Sequence, residues 1–476
     1  MPGGQKRWVS MAITKGGTTV GTRSGTANAR QGEQLKLSVF MIGDSNYHLG
    51  GWRHPKAVAD AGANISRWLE FARLLEDAKF DMLFLADSAG VIGFDDKKAL
   101  AGTAKLERFE PFTLLSALSM VTTHLGLVAT GTTTYTDPYN LARVVASLDL
   151  MSGGRAGWNV VTGGVPEDAR QFGLDRIVPA EERYKRGEEF VDVVMALWAS
   201  IEPGAFRRDK ISGVYCDVGK LHAIDHAGQY YSVRGPLSVQ PSPQGRPIIV
   251  QAGQSEEGRA LASRVADVVF SSGATLHAGK AFYSDIKRRA LEWGRDPSGV
   301  KVLPGVTVTV ASTDEEAEAK ERELFELIDI DVALRHLSLY LGDADLSKYK
   351  LDDPAPEFAA NAARKGSAES FNAISRKGGL TLRQLAQRSA SSRLHLSVKG
   401  TPEKIADTLE TWFHENAADG FNLLPNTVPG SIADFIDLVL PELRRRNLFR
   451  DQYEGQTLRE NLGLPFPDRG APVRRR

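Results

Sequence analysis

Several short apolar runs in this chain end on clusters of hydrogen-bonding side chains. Asp87 and Ser88 close the run 82–87, and Thr132, Thr133 and Thr134 end 125–132. Asn159 and Thr162 end the run 156–161, while Gln251, Gly253, Gln254 and Ser255 end 247–252. These groups include few strong nucleophiles and no cluster of metal ligands, so as a set they suit a large polar cofactor better than direct side-chain catalysis. Any one of them could simply cap a strand. The stretch 251–264 reads strand, Gly, Gln, Ser, Glu, then an amphipathic helix. That places Gly253 and Ser255 where the free N–H groups of a helix N-terminus meet a hydroxyl, a geometry that binds phosphate. Ser255 is equally suited to be an N-cap.

Other chemistries lack their signatures. There is no HExxH, and His222 and His226, four apart, lie among turn and strand formers rather than on a helix, so no metal is expected. No G-x-S-x-G, P-loop or G-x-G-x-x-G stands where strand and helix would support it, which argues against hydrolase, kinase and dinucleotide-binding readings. Lys and Arg total 59 against 59 Asp and Glu, leaving no net field to draw nucleic acid or an anionic membrane. Arg474, Arg475 and Arg476 read as solvated tail. At 42% hydrophobic and 25% charged the chain has ordinary globular proportions. The single cysteine, Cys216, excludes an internal disulfide, and no apolar run is long enough to span a bilayer. A cytoplasmic protein with no membrane or nucleic-acid partner is expected.

The elements that must position the clusters follow from alternation. Apolar runs at 35–42, 82–87, 125–132, 156–161, 247–252, 265–271, 302–310 and 420–424 read as strands. Amphipathic stretches at 65–79, 111–122, 140–151, 180–199, 256–264, 277–293, 313–327 and 402–417 read as helices. Eight of each fit an α/β chain folded as a (β/α)8 TIM barrel, in which reacting groups gather at the C-terminal ends of the strands. The expected organisation is a loose tail over 1–34, a barrel over 35–448 with insertions at about 200–246 and 342–399, and a C-terminal extension over 449–476. The first insertion reads as a hairpin or irregular excursion. Within the second, 352–393 reads as a mobile lid, with Phe371, Ile374, Leu380, Leu382 and Leu385 as its apolar underside.

Several strings together resemble one family. FLADS at 84–88, TTTYTDPYNLAR at 132–143, SGGRAGWNVVT at 152–162, Arg183-Tyr184, Ile224-Asp225-His226, VRGPL at 233–237, PQGRP at 243–247 and Gln251-Ala252-Gly253 are similar to the nitrilotriacetate monooxygenase component A family, within the bacterial luciferase-like superfamily. The resemblance runs from about Leu35 to Leu448 and names no substrate. It implies a two-component flavin-dependent monooxygenase: a separate NAD(P)H:FMN reductase supplies reduced FMN, and this chain uses it with O2, by way of a C4a-(hydro)peroxyflavin, to oxygenate a small organic molecule. It implies FMN contacts at Asp87, Thr133, Tyr184 and Ser255, to which the strand-end reading adds Thr132, Asn159, Gly253 and Gln254. It also implies a homodimer or homotetramer.

By the same resemblance His336 falls where relatives place a histidine near the substrate, which makes it the candidate acid or base; a structural histidine on a helix is the alternative. Arg53 and His48 are further candidates for the pocket. Three positions depart from the family. Ala180 stands where relatives carry a histidine, Gly163 replaces a serine, and Gly164 stands where an alkane-oxidising relative has histidine. Their loss favours one rival, a non-catalytic flavin-binding or storage protein; a deazaflavin-dependent oxidoreductase of the same superfamily is the other.

Overall fold

Apolar runs that do not alternate mark strands buried on both faces, and in this computed structural model such runs become the staves of a closed parallel barrel. The structure describes residues 30, 32–43, 47–104, 106–358, 365–393 and 395–467. In chain order the strands are β1 (Lys36–Met41), β2 (Met82–Leu85), β3 (Gly126–Thr132), β4 (Ala156–Val161), β5 (His226–Ala227), β6 (Ser232–Val233), β7 (Ile248–Gln251), β8 (Val268–Ser271), β9 (Lys301–Val310), β10 (Leu396–Gly400) and β11 (Gly420–Leu423). The ring runs β1-β2-β3-β4-β7-β8-β9-β11 and returns to β1, every pairing parallel. This is the expected (β/α)8 barrel.

The helices start where the sequence provides caps. Asp137 accepts hydrogen bonds from Tyr139 N at 2.9 Å and Asn140 N at 3.2 Å, with Pro138 in the first turn of helix Pro138–Met151. Their apolar faces pack on the outside of the barrel, as Trp68, Phe71, Ala72 and Leu75 of helix Ile65–Asp77 do. Inside it, Phe40, Phe84, Val128, Val250, Phe270 and Leu303 fill the core.

Residues 449–467 belong to this core. Leu458, Leu462 and Leu464 are buried with the inward-facing residues, and Leu458 lies so close to the start of β3 that a Cβ on Gly126 would stand 2.4 Å from its methyl carbon. Beside them Arg459 and Arg246 both pair with the buried Asp267, and these cations hold its carboxyl below the usual range against the opposing effect of burial. The chain thus plugs the barrel at the ends where the strands begin. The tail expected over 1–34 falls mostly outside the described residues; Arg30, near its end, is buried and bonds Asp419 at 2.9 Å.

Across 200–246 the chain is mostly irregular, with β5 and β6 as a two-residue antiparallel ladder. The segment 342–399 is more ordered than a loop. It carries helices Lys365–Gly378 and Leu382–Ser392 and runs into β10. Phe371, Leu382 and Leu385 are buried together with Val332, Ala333 and Leu337 of helix Ile330–Tyr340, so the apolar underside expected of a lid is already covered. Residues 359–364 of that segment lie outside the described ones.

β10 decides part of the barrel mouth. Val306 of β9 pairs with Leu423 of β11 and also with Leu396 of β10, so these two lie on opposite edges of β9. The partnership of β8 with β9 ends at Pro304. β10 therefore occupies the edge that β8 vacates, just above the C-terminal end of β8.

Candidate functional site

At the C-terminal mouth a cavity of about 310 Å³ opens into the barrel. Strand ends supply most of its wall: Phe40 and Ile42 from β1, Phe84, Ala86 and Asp87 from β2, Thr130, Asn159 and Val161 from β3 and β4, and Ala252 and Gln254 after β7. Phe270 and Ser271 from β8, Ser272 just after it, Tyr47, and His395 at the foot of β10 complete it. The rings brace one another. Phe40 and Phe270 stack with centroids 4.9 Å apart, His395 stacks on Phe270 at 5.3 Å, and Tyr47 stacks on His395 at 5.1 Å. Phe84 meets Phe40 edge-on at 4.9 Å. Such a wall excludes water and fixes a shape.

Three of the residues expected from the sequence line this cavity. Asp87 is half-buried, and Arg108 Nε donates to its Oδ1 at 3.3 Å. Burial pushes the Asp87 carboxyl up, and the Arg108 cation partly offsets that. Asn159 is buried; its Nδ2 donates to Thr130 Oγ1 at 2.9 Å, while its Oδ1 has no hydrogen-bond partner among the described residues. Gln254 Nε2 donates to Phe270 O at 3.3 Å, tying the β7 loop to β8.

A second group adjoins Gln254. Ser255 caps helix Glu256–Val265 by accepting from Gly258 N at 3.1 Å, and its hydroxyl donates to Tyr184 Oη at 3.3 Å. The N-cap reading of Ser255 holds, and the residue is exposed at that helix N-terminus with the Tyr184 hydroxyl beside it. Gly253 is required by a close approach: a Cβ there would stand 2.8 Å from Gly258 Cα. Thr132 and Thr133 do not line the cavity. Thr132 Oγ1 accepts from Thr134 N at 3.2 Å, and the buried Thr133 turns its hydroxyl toward Val161 O and under Gly187 of helix Ala180–Ala199.

His336 also lies away from the cavity wall. It sits on helix Ile330–Tyr340, with Nδ1 3.0 Å from Ser389 Oγ of the neighbouring helix and its ring 5.0 Å from that of Tyr340. Arg53 donates to Leu327 O at 2.7 Å. The histidine on the cavity wall is His395, which sequence reasoning missed. Burial, reinforced by the nearby Arg393 cation, lowers its imidazole to about 3, so it is neutral at physiological pH. Gly305 makes room for it, since a Cβ there would stand 2.5 Å from Nδ1. A histidine just before the alternating stretch 396–400 was the available signal.

Two of the departures have a local account. Gly163 has φ +62°, a conformation that favours glycine, and a Cβ there would meet Thr132 Oγ1 at 3.1 Å. The guanidinium of Arg183 comes within 3.5 Å of where a Gly164 Cβ would be and donates to Gly163 O at 2.8 Å. Nothing in the structure explains Ala180.

Comparison with known proteins adds the following. The family model described as luciferase-like monooxygenase matches residues 45–420. The chain is 48% identical over 444 residues to nitrilotriacetate monooxygenase component A of Aminobacter aminovorans, covering 91% of this chain and 97% of that protein. It is 45% identical over 437 residues to N-acetyl-S-(2-succino)cysteine monooxygenase of Bacillus subtilis (strain 168), covering 91% and 98%. A crystal structure of riboflavin lyase with modified FMN and riboflavin superposes with a TM-score of 0.80 at 34% identity, covering 91% of this chain and 97% of that one.

Proposed function

Because the chain belongs to the luciferase-like monooxygenase family, it is an oxygenating flavin enzyme, and we propose that it is the oxygenase of a two-component system. In this reading a separate NAD(P)H:FMN reductase provides reduced FMN, and the chain uses it with O2 to oxygenate a small organic substrate. The observation that carries the reading is the buried, unpartnered Oδ1 of Asn159 on the cavity wall. A buried acceptor left unpaired costs about 1–3 kcal/mol, which a ligand donor relieves. The ring system of a flavin has an N–H edge to offer.

Reduced FMN, when bound, supplies the electrons that activate O2. The chain's residues bind, orient and seclude. Asn159 accepts a hydrogen bond at the cavity floor, and Gln254 and Asp87 offer polar contacts nearer the rim. Ser255, Tyr184 and the N-terminus of helix Glu256–Val265 receive a phosphate. Phe40, Phe84 and Phe270 shed water from the reacting centre, where low polarity strengthens each of these hydrogen bonds.

Anaerobic titration with reduced FMN, followed by oxygen uptake with a supplied reductase and a panel of amines, sulfones, thioethers and ketones, tests this. Saturable binding and substrate-dependent oxygen consumption are expected. Tight binding of oxidised flavin without substrate-dependent uptake would instead support a storage protein, and preference for a deazaflavin over FMN would support the other rival.

A further inference from the structure

Arg393 differs from the other arginines around the cavity. Arg108 is matched by Asp87, and Arg183 donates to the carbonyls of Val178, Thr162 and Gly163. Arg393 is half-buried, yet among the described residues no carboxylate lies within ion-pair distance of it and its Nε is buried with no hydrogen-bond partner. Its guanidinium carbon lies 4.1 Å from the centre of the Tyr47 ring and 5.4 Å from that of Tyr340, and its charge and a hydrogen bond to the Tyr47 phenol partly offset the burial that pushes that phenol up. Aromatic faces hold a cation in place and leave its N–H edge available to an anion.

The backbone reinforces the point. Arg393 has φ +53° and ψ −119°, a conformation that residues with side chains rarely adopt and that persists only where the surroundings impose it. It stands between helix Leu382–Ser392 and β10, two residues before His395, and is not itself part of the cavity wall but packs behind Tyr47, which is. Tyr47, on which it rests, and His395 both line the cavity. With His395 neutral and Asp87 met by Arg108, Arg393 is a cation beside this cavity with no carboxylate partner among the described residues.

We propose that Arg393 is the specificity-determining residue that receives a carboxylate of the substrate at the mouth of the cavity. This rests on the monooxygenase reading above, in which the flavin phosphate already has Ser255 and a helix N-terminus. The substrate is then a small organic acid with an oxidisable centre, its anionic end at Arg393 and its other end among Phe40, Phe270 and His395. A guanidinium suits this task because its planar fork matches a carboxylate with two parallel hydrogen bonds.

The test uses 2-(methylthio)succinate and its uncharged dimethyl ester as probes, titrated calorimetrically under anaerobic conditions into the full chain, with and without saturating reduced FMN. Wild type should bind the dianion about tenfold or more tightly than the ester, as charge-assisted hydrogen bonds require. Arg393→Gln should remove that preference with the FMN dissociation constant unchanged, and Arg393→Lys should restore part of it. No preference in wild type, or an undiminished one in Arg393→Gln, overturns the proposal. So does a parallel loss of FMN affinity in Arg393→Gln, which would assign the guanidinium to the cofactor. Failure of wild type to bind reduced FMN at all, with the carboxylate preference intact in the flavin-free chain, would sink the monooxygenase reading alone. Unfolding midpoints of both variants near wild type show that the fold survives.

Discussion

Gly305 lies in β9 behind the wall of the cavity, and the Gly305→Ala exchange gives the most direct check on how that wall is built. The added Cβ would stand 2.5 Å from His395 Nδ1 and 2.9 Å from Phe270 Cε2, the first some 0.9 Å short of the 3.4 Å at which ordinary contact begins. Neither ring can retreat outward, because His395 is held between Phe270 and Tyr47, and Phe270 is backed by Phe40. The space they can enter is the cavity of about 310 Å³. Forcing a methyl group into a packed site costs about 1–3 kcal/mol. A shift on the order of 1 Å in a group that positions reactants costs about a hundredfold in rate. Urea unfolding should therefore show a lower midpoint with an unchanged slope, FMN affinity should fall, and substrate-dependent oxygen uptake should fall furthest. Gly273→Ala is the control: its Cβ would have 3.8 Å of clearance, and a change within about 0.5 kcal/mol is expected. If Gly305→Ala keeps both the wild-type midpoint and the wild-type FMN affinity, His395 and Phe270 are not seated as described and the reasoning fails.

Further expectations follow from the same contacts. Asn159→Leu should weaken reduced-FMN binding about tenfold, the worth of a buried hydrogen bond, while lowering the stability of the free protein by no more than about 1 kcal/mol for the bond lost at Thr130; equal FMN affinity in a fluorescence titration would remove Asn159 from the cofactor site. The His395 imidazole is held near 3 in the fold, so between that value and about 6.5 the unfolded chain binds a proton that the folded one does not. Stability should thus fall as pH drops from 7 to 4, and His395→Phe should flatten that limb; identical urea midpoints for the two proteins across the range would refute the burial of a neutral ring. Leu458→Ala should cost about 2–5 kcal/mol by opening a void against Gly126, measured by denaturant unfolding, and a loss under about 1 kcal/mol would mean the C-terminal segment does not plug the barrel.

What was legible in the sequence, and what was not, divides along physical lines. The barrel strands could be read because each is buried on both faces, so that runs such as Leu83–Leu85 of β2 or Val268–Phe270 of β8 show no polar alternation. Helix Ala180–Ala199 has the ends its sequence suggests because Pro179 precedes it and Ser200 ends it. The segment 352–393 was misleading. It reads as a mobile lid, yet its Ser389, Ser391 and Ser392 are buried in the last turns of helix Leu382–Ser392, where Ser391 and Ser392 hydroxyls donate to Arg388 O and small side chains allow close packing on helix Ile330–Tyr340. Reading that segment as a lid hid the strand that follows it.

The same division runs through the site. Asp87, Asn159 and Gln254 could be found from sequence because barrel register alone carries strand ends to one face. His395 and Arg393 reach that face by another route: β9 outlasts β8 by six residues, Gly305 to Val310, and β10 pairs with most of that overhang. The alternation at 396–400 marks a strand but not where it docks, which depends on how far a distant strand continues. It follows that the two halves of the cavity answer to different constraints. Changes at the ends of β2, β4 or β7 disturb groups fixed by the closure of the barrel, whereas changes in 342–399 alter what approaches the cavity from above β8 while leaving the eight-strand ring intact. The residues proposed to hold a cofactor and the residue proposed to select a substrate therefore stand on parts of the fold with different constraints, and Arg393 lies on the side outside the eight-strand ring.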